Sequence, residues 1–269
     1  MKKNILKSLC EISDYIFQSS HLVLGLDFDG TLTPILDVPS SVFIGNKMRS
    51  LLHVLSKREN ITIAIISGRS LDDLIEKVGL SDVVYAGNHG LNIMGPGLRK
   101  IDIKALQKQQ TVEKAFVLCK NLTNKFSGIF LEDKTLTFAI HYRNLNPKNV
   151  HELHLSLKNM VTELGDLVIK TGKCVFEIYP AVETNKFTAF SWVTTQIGDD
   201  TNIGKIYLGD DDTDEDVFRS LKDGIGINVG QNENSGSNYF LKDPIEVEEF
   251  LSWLSKAGTV REKVRQTRV

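Results

Sequence analysis

The chain has 269 residues, enough for one large domain or for a core domain carrying a smaller insertion. Hydrophobic residues make up 41% and charged residues 25%, an ordinary balance for a globular protein, and the net charge of −2 argues against the basic face that nucleic-acid binding needs. Cys10, Cys119 and Cys174 are scattered and odd in number, which argues against a disulfide framework or a zinc site.

Residues 2–18 place Ile5, Leu9, Ile12 and Ile16 at helical spacing, which predicts an amphipathic surface helix rather than a signal peptide. No apolar run reaches the ~18 residues of a membrane span, so a cytoplasmic protein without a membrane partner is expected. Leu22-Val-Leu-Gly-Leu26 is then an almost unbroken apolar run, the pattern of a strand buried on both faces. It ends in Asp27-Phe-Asp29, followed by Gly30 and Thr31. Strand alternation puts Asp27 and Asp29 on one side, where two carboxylates crowd together unless a cation sits between them. Mg²⁺ is the ordinary answer.

A helix is predicted over 45–57, then a buried strand Ile61–Ile66 that runs into Ser67-Gly68-Arg69-Ser70. Ser70 can cap the next helix, with Asp73 at its third position and Gly79 closing it. A third strand, Val83–Ala86, ends in Gly87-Asn88-His89-Gly90. The middle of the chain changes texture. A helix over 104–126, strands over 128–132 and 135–142, a helix over 147–164 and a hairpin of 167–170 with 175–179 describe an α+β unit. It is expected as an inserted domain, 97–180, between core segments 1–96 and 181–269. The βα rhythm then returns with a helix over 186–197 and a strand Lys205–Leu208 that leads into Gly209-Asp-Asp-Asp-Thr-Asp-Glu-Asp216. Thr213 is a good cap for the following helix. A strand over 224–229 and a helix over 245–256 follow, and the basic stretch Arg261 to Val269 is expected to fray.

Asp27, Ser67, Asn88-His89 and Asp210 each follow an apolar run directly. In a parallel α/β sheet those positions are the carboxyl ends of strands, where ligands bind. A carboxylate there can accept a phosphoryl group, which makes Asp27 the candidate nucleophile. Asp29 is the candidate general acid and then base. Asp210, helped by Asp211 or Asp214, would complete a Mg²⁺ site with the opening pair, and Lys186 would supply a further positive charge. Ser67 and the backbone N–H groups after Asp27 could hydrogen-bond a phosphate. Arg69 reads equally well as a brace for the Ser67 loop or as a substrate contact, and His89 as a loop residue or a ligand. His141 and Arg143 could be sheet-surface residues or ligands, while Lys173 and Glu177 read by themselves as solvated.

Taken in order, Asp27-Phe-Asp-Gly-Thr31, Ser67-Gly-Arg69, Lys186 and Gly209-Asp-Asp-Asp-Thr-Asp214 resemble the four motifs of the haloacid dehalogenase superfamily. Together with Ala86-Gly-Asn-His-Gly90, His141-Tyr-Arg143 and Gly172-Lys-Cys-Val-Phe-Glu-Ile178, they are similar to the trehalose-6-phosphate phosphatase family over residues 22–255. The resemblance implies a Rossmann-like core with an α/β cap and a Mg²⁺-dependent phosphatase that forms an aspartyl-phosphate. It implies a metal held by Asp27, Asp29, Asp210 and Asp211. Ser67 and Lys186 join the catalytic set, and Gly30, Thr31, Gly68 and Arg69 are expected to bind substrate; the resemblance implies glucose contacts at Lys173 and Glu177, with His89 and Arg143 as weaker carry-overs. The family's lysine is commonly followed by glycine, whereas Phe187 follows Lys186 here. Sucrose phosphate and mannosyl-phosphoglycerate are the rival substrates, and a signalling receiver or a non-catalytic phosphosugar sensor is the alternative of another class.

Overall fold

The computed structural model describes residues 2–36, 39–198 and 202–266. Its contacts divide the chain into two compact units, Met1–Arg99 with Asn185–Val269, and Lys100–Thr184.

The first unit begins with β1 (Lys3–Asn4), α1 (Leu9–Gln18), β2 (His21–Leu26), α2 (Asn46–Ser56), β3 (Ile61–Ile66), α3 (Leu71–Val78), β4 (Val84–Gly87) and β5 (Asn92–Gly95), and the division after Arg99 falls within β6 (Leu98–Ile101). The helix expected over 2–18 is interrupted. The Asn4 side chain accepts the Leu6 N–H and caps a single 3-10 turn, so α1 starts only at Leu9. Lys3 and Asn4 instead form a parallel edge strand against Tyr239 and Phe240. The hairpin of β5 and β6 was not foreseen, because strands of four residues around Gly95-Pro96-Gly97 are too short to show a period.

The second unit contains α4 (Ile103–Gln107), α5 (Gln109–Lys125), β7 (Phe130–Asp133), β8 (Phe138–His141), α6 (Val150–Leu164), β9 (Leu167–Gly172) and β10 (Val175–Pro180). Its antiparallel sheet has the order β7-β8-β10-β9. Phe138, Ile140, Phe176 and Ile178 point to one face and pack with Val112, Ala115 and Cys119 of α5 and Leu153 and Leu157 of α6. Glu132, Ala139, Glu177 and Lys170 are cross-strand partners on the opposite face.

The chain then completes the first unit with α7 (Lys186–Ile197), β11 (Ile203–Gly209), α8 (Glu215–Ser220), β12 (Ile225–Val229), β13 (Tyr239–Leu241) and α9 (Pro244–Gln266). The last helix runs well past residue 256, so the backbone is helical through Gln266 where fraying was expected from 261; residues 267–269 lie outside the described range. The large sheet has the order β1-β13-β12-β11-β2-β3-β4-β5-β6 and is parallel from β1 to β4, with β5 antiparallel. Alternate residues of β2 serve two cores. Leu22, Leu24 and Leu26 join Met48, Leu52 and Phe250 on one face, while Val23 joins Phe190, Val193 and Tyr207 on the other. Burial on both faces explains why β2, β3 and β11 are mostly apolar, with His21, Thr62 and Lys205 at their half-buried positions. It also lines up β11, β2, β3 and β4 as parallel neighbours, so that the residues following them emerge side by side.

Candidate active site

Four strand ends build the site within the first unit. Asp27 leaves β2 with its N–H donating to Leu208 of β11 at 2.9 Å, and Ser67 leaves β3 with its N–H donating to Ala86 of β4 at 2.9 Å. The chain after β4 is tied back to the β3 turn, since Asn88 N–H donates to the Arg69 carbonyl at 2.7 Å and His89 N–H to the Ser67 carbonyl at 2.8 Å. Asn88 and His89 both adopt the left-handed region, a costly conformation that these two bonds hold in place. Two glycines are required by close approach. Gly30 has φ +87°, and a Cβ there would strike the Asp210 carboxylate. A Cβ on Gly68 would lie 2.7 Å from His89 Nε2.

Lys186 is 2% exposed and joins the two halves of the first unit. Asn185 caps α7, accepting the Thr188 N–H at 2.9 Å, and Lys186 follows as the first helical residue. Its ammonium donates to Asp27 Oδ1 and Asp214 Oδ1, each at 2.8 Å, and lies 3.5 Å from Asp211 Oδ1. Phe187 packs against the second core cluster and does not displace the lysine from Asp27. Asp214 is fully buried and takes three more donors: the Tyr207 hydroxyl at 2.7 Å and the N–H groups of Asp210 and Asp211 at 3.1 Å. Neither Tyr207 nor this role of Asp214 was expected. A tyrosine in the middle of a buried strand was the available signal, because its hydroxyl must find a partner. Thr213, the expected helix cap, instead donates to Asp211 Oδ1 at 2.6 Å, and Asp214 occupies the cap position of α8.

The second aspartate of the opening motif has a different partner. Arg69 donates from Nε to Asp29 Oδ2 and from a terminal nitrogen to Asp29 Oδ1, both at 2.7 Å, and from its other terminal nitrogen to Asp73 Oδ2 at 2.7 Å. Burial works against the guanidinium charge, but these carboxylates outweigh it and raise its proton affinity.

The carboxylates carry more charge than Lys186 balances. Burial pushes Asp27 and Asp214 up against the pull of the ammonium, and Asp210 is pushed up to about 7 by burial and by the charges of Asp214 and Asp211. Asp211, whose side chain is exposed, is held well below the usual range, because Lys186 and the Thr213 hydrogen bonds outweigh its desolvation. Oxygen atoms of Asp27, Asp210 and Asp214 lie within 4.8 Å of one another, an all-oxygen set suited to a hard divalent cation. Asp29 and Asp211 stand outside that group. Within it, Asp214 is saturated by four donors, which leaves Asp27 and Asp210 as the residues that fit a cation directly. Thr31 is fully buried and its hydroxyl donates to Asp210 Oδ1 at 3.4 Å.

The remaining expected residues belong to the second unit. Arg143 and Lys173 are exposed and sit at one end of its sheet, where Tyr142 N–H donates to the Cys174 carbonyl at 2.9 Å. Glu177 is half-buried and accepts from Lys134 at 2.7 Å, and His141 pairs with Glu132 at 2.8 Å.

The parallel sheet that gathers these strand ends has the fold of haloacid dehalogenase-like hydrolases. The solved structure of such a hydrolase from Bacteroides thetaiotaomicron superposes with a TM-score of 0.62 at 14% identity, covering 87% of this chain and 100% of that one. The family model described as trehalose-phosphatase matches residues 25–245. The Arabidopsis thaliana protein named "Probable trehalose-phosphate phosphatase I" is 31% identical over 250 residues, 87% of this chain and 67% of that protein. The C-terminal domain of the trehalose-6-phosphate phosphatase of C. albicans superposes with a TM-score of 0.78 at 24% identity, over 95% of this chain and 99% of that one. The chain belongs to the trehalose-phosphatase family, and it is a phosphatase.

Proposed function

We propose that this phosphatase hydrolyses trehalose 6-phosphate to trehalose and phosphate, with Mg²⁺ as its cofactor and with Asp27 transiently phosphorylated. The observation that carries the chemistry is Asp27 buried at the end of β2 with the Lys186 ammonium 2.8 Å from Oδ1. An Asp27 oxygen attacks phosphorus, the bond from phosphorus to the sugar oxygen breaks, and Asp29 gives a proton to that leaving oxygen. Asp29 then takes a proton from water, the water oxygen bonds to phosphorus, and the bond to Asp27 breaks, restoring the carboxylate. Lys186 offsets the charge of Asp27 and of the phosphoryl oxygens through both steps. Ser67 Oγ accepts the Arg69 N–H at 3.2 Å, which leaves its own proton to donate to a phosphoryl oxygen. Mg²⁺, held by Asp27 and Asp210, supplies charge neutralisation at the phosphoryl group when bound.

The sugar is assigned by family membership, and Lys173, Glu177, Arg143 and His89 are proposed as its contacts on the same ground. Sucrose phosphate and mannosyl-phosphoglycerate are the rivals. Phosphate release from a panel of phosphorylated sugars, with and without Mg²⁺, tests substrate and cofactor together. Trehalose 6-phosphate is expected to lead the panel; equal turnover across it overturns the substrate assignment, and turnover unaffected by chelation overturns the cofactor. Asp27→Asn is expected to lose nearly all phosphate release, since an amide forms no acyl phosphate. Full activity in that variant overturns the nucleophile. A cytoplasmic location is proposed from the three unpaired cysteines, Cys10, Cys119 and Cys174. Among the described residues no helix is long and apolar enough to cross a membrane.

A further inference from the structure

A group that must pass a proton to a leaving oxygen is poorly served by a carboxylate whose two oxygens are both gripped. Asp29 is in that position, held by Arg69 through two parallel bonds of 2.7 Å. The partners are unequally anchored. The Arg69 side chain is 9% exposed, while that of Asp29 is 39% exposed. The guanidinium also donates to Asp73 and lies 5.3 Å above the Phe28 ring, while the Arg69 backbone N–H donates to Ser67 Oγ and its carbonyl accepts the Asn88 N–H. Asp73 is itself set by the cap of α3, its N–H donating to Ser70 Oγ at 3.3 Å. A chain of contacts therefore runs from the start of α3 through Asp73 and Arg69 to Asp29, and its rigid members all lie on the Arg69 side. With carboxylates of Asp29 and Asp73 on all three of its nitrogens, Arg69 is oriented primarily by protein groups.

We propose that Arg69 is a positioning residue, a fixed mount that sets the orientation of the Asp29 carboxylate and from which Asp29 swings to the leaving oxygen. This deepens, and rests on, the proposed role of Asp29 as acid and base. If Arg69 acts through Asp29, its removal harms the reaction only where proton transfer is needed. Sugar phosphates need it, because an alkoxide leaves badly without a proton. p-Nitrophenyl phosphate does not need it in the first step, because nitrophenolate leaves as a stable anion.

The test compares steady-state turnover of trehalose 6-phosphate with the first-turnover burst of nitrophenolate from p-nitrophenyl phosphate, both with the Mg²⁺-supplied enzyme. Arg69→Ala is expected to lower kcat on trehalose 6-phosphate by about 100-fold or more, with KM and the nitrophenolate burst each held within about threefold. Added guanidinium is expected to restore part of the lost kcat. In the Asp29→Asn background, Arg69→Ala is expected to lower the residual turnover of trehalose 6-phosphate no further, because coupled residues are not additive. A burst that falls as far as the sugar-phosphate kcat, a loss carried by KM, or a further loss in the double variant overturns the proposal, since each places Arg69 on the substrate. Should Arg69→Ala fail to fold, Arg69→Lys and Asp73→Asn are read in the same comparison, with losses of about 5-fold or more confined to trehalose 6-phosphate. The two levels fail separately. Full sugar-phosphate turnover in Asp29→Asn removes the acid itself, whereas its loss there together with an unaffected Arg69→Ala removes only the mount.

Discussion

Asp214 sits fully buried between Lys186, Tyr207 and two backbone N–H groups, so it acts on the reaction through what it holds rather than by touching substrate. Replacing it leaves a buried ammonium and a buried hydroxyl short of a partner. Asp214→Ala is expected to lower unfolding free energy by about 3–5 kcal/mol in urea titration, whereas Asp212→Ala, on an exposed residue, changes it by about 0.5 kcal/mol or less. Asp210 has the opposite character. Its carboxyl is raised from 3.8 to about 7, so the unfolded chain releases this proton near pH 4 while the folded chain keeps it to near neutrality. Its contribution therefore makes stability fall as pH rises from about 4 to about 7. In chelated buffer the melting temperature is expected to be lower at about pH 8 than at about pH 5.5, and added Mg²⁺ to raise it more at the higher pH. Asp210→Asn is expected to flatten both dependences, as scanning calorimetry can show. Spacing alone placed Asp27 and Asp210 at the site, but assigning Asp29 to Arg69, and Asp211 to Thr213, needed distances.

Helix α3 illustrates an element that local chemistry specifies almost completely. Ser70 caps it, its acidic first turn suits the dipole, and Gly79 ends it in the left-handed conformation, as the spacing predicts. Ser70→Ala is expected to cost about 1 kcal/mol of stability by chemical denaturation. It is also expected to lower turnover, because the cap sets Asp73 and through it Arg69. Elements that failed to show in the sequence share a cause. The strands β1, β5, β6 and β13 run only two to four residues, and each is ordered by a neighbour rather than by its own period. Thr213 looked like a cap and is not one, because the buried Asp214 side chain satisfies the N–H groups of Asp210 and Asp211 that lead into α8.

At the scale of the whole chain, the two units have separate cores, and the second is built around Phe138, Ile140, Phe176, Leu153 and Cys119. Burial pushes the Cys119 thiol up to about 12. At about pH 8 the native protein is expected to leave Cys119 unmodified by a thiol reagent while the exposed Cys10 reacts, with mass spectrometry reading the sites. Leu153→Ala, at a fully buried position, is expected to cost the second unit about 2–5 kcal/mol and to speed modification of Cys119. Early modification of Cys119 in the unaltered protein counts against this account of the core.

The sequence by itself determined which strands are buried on both faces, where they end, and hence that Asp27, Ser67, His89 and Asp210 emerge from the same edge of one sheet. It could do so because apolar runs, caps and strand ends are local properties, readable within a few residues. Tertiary structure alone decided how the charges pair. Lys186 was expected to reach Asp27 and does so, but only distances show that it also meets Asp214 and that Asp29 meets Arg69 across 40 positions. In a buried site an ion pair forms or fails on ångström distances and on the competing donors around it, and no spacing along the chain encodes either.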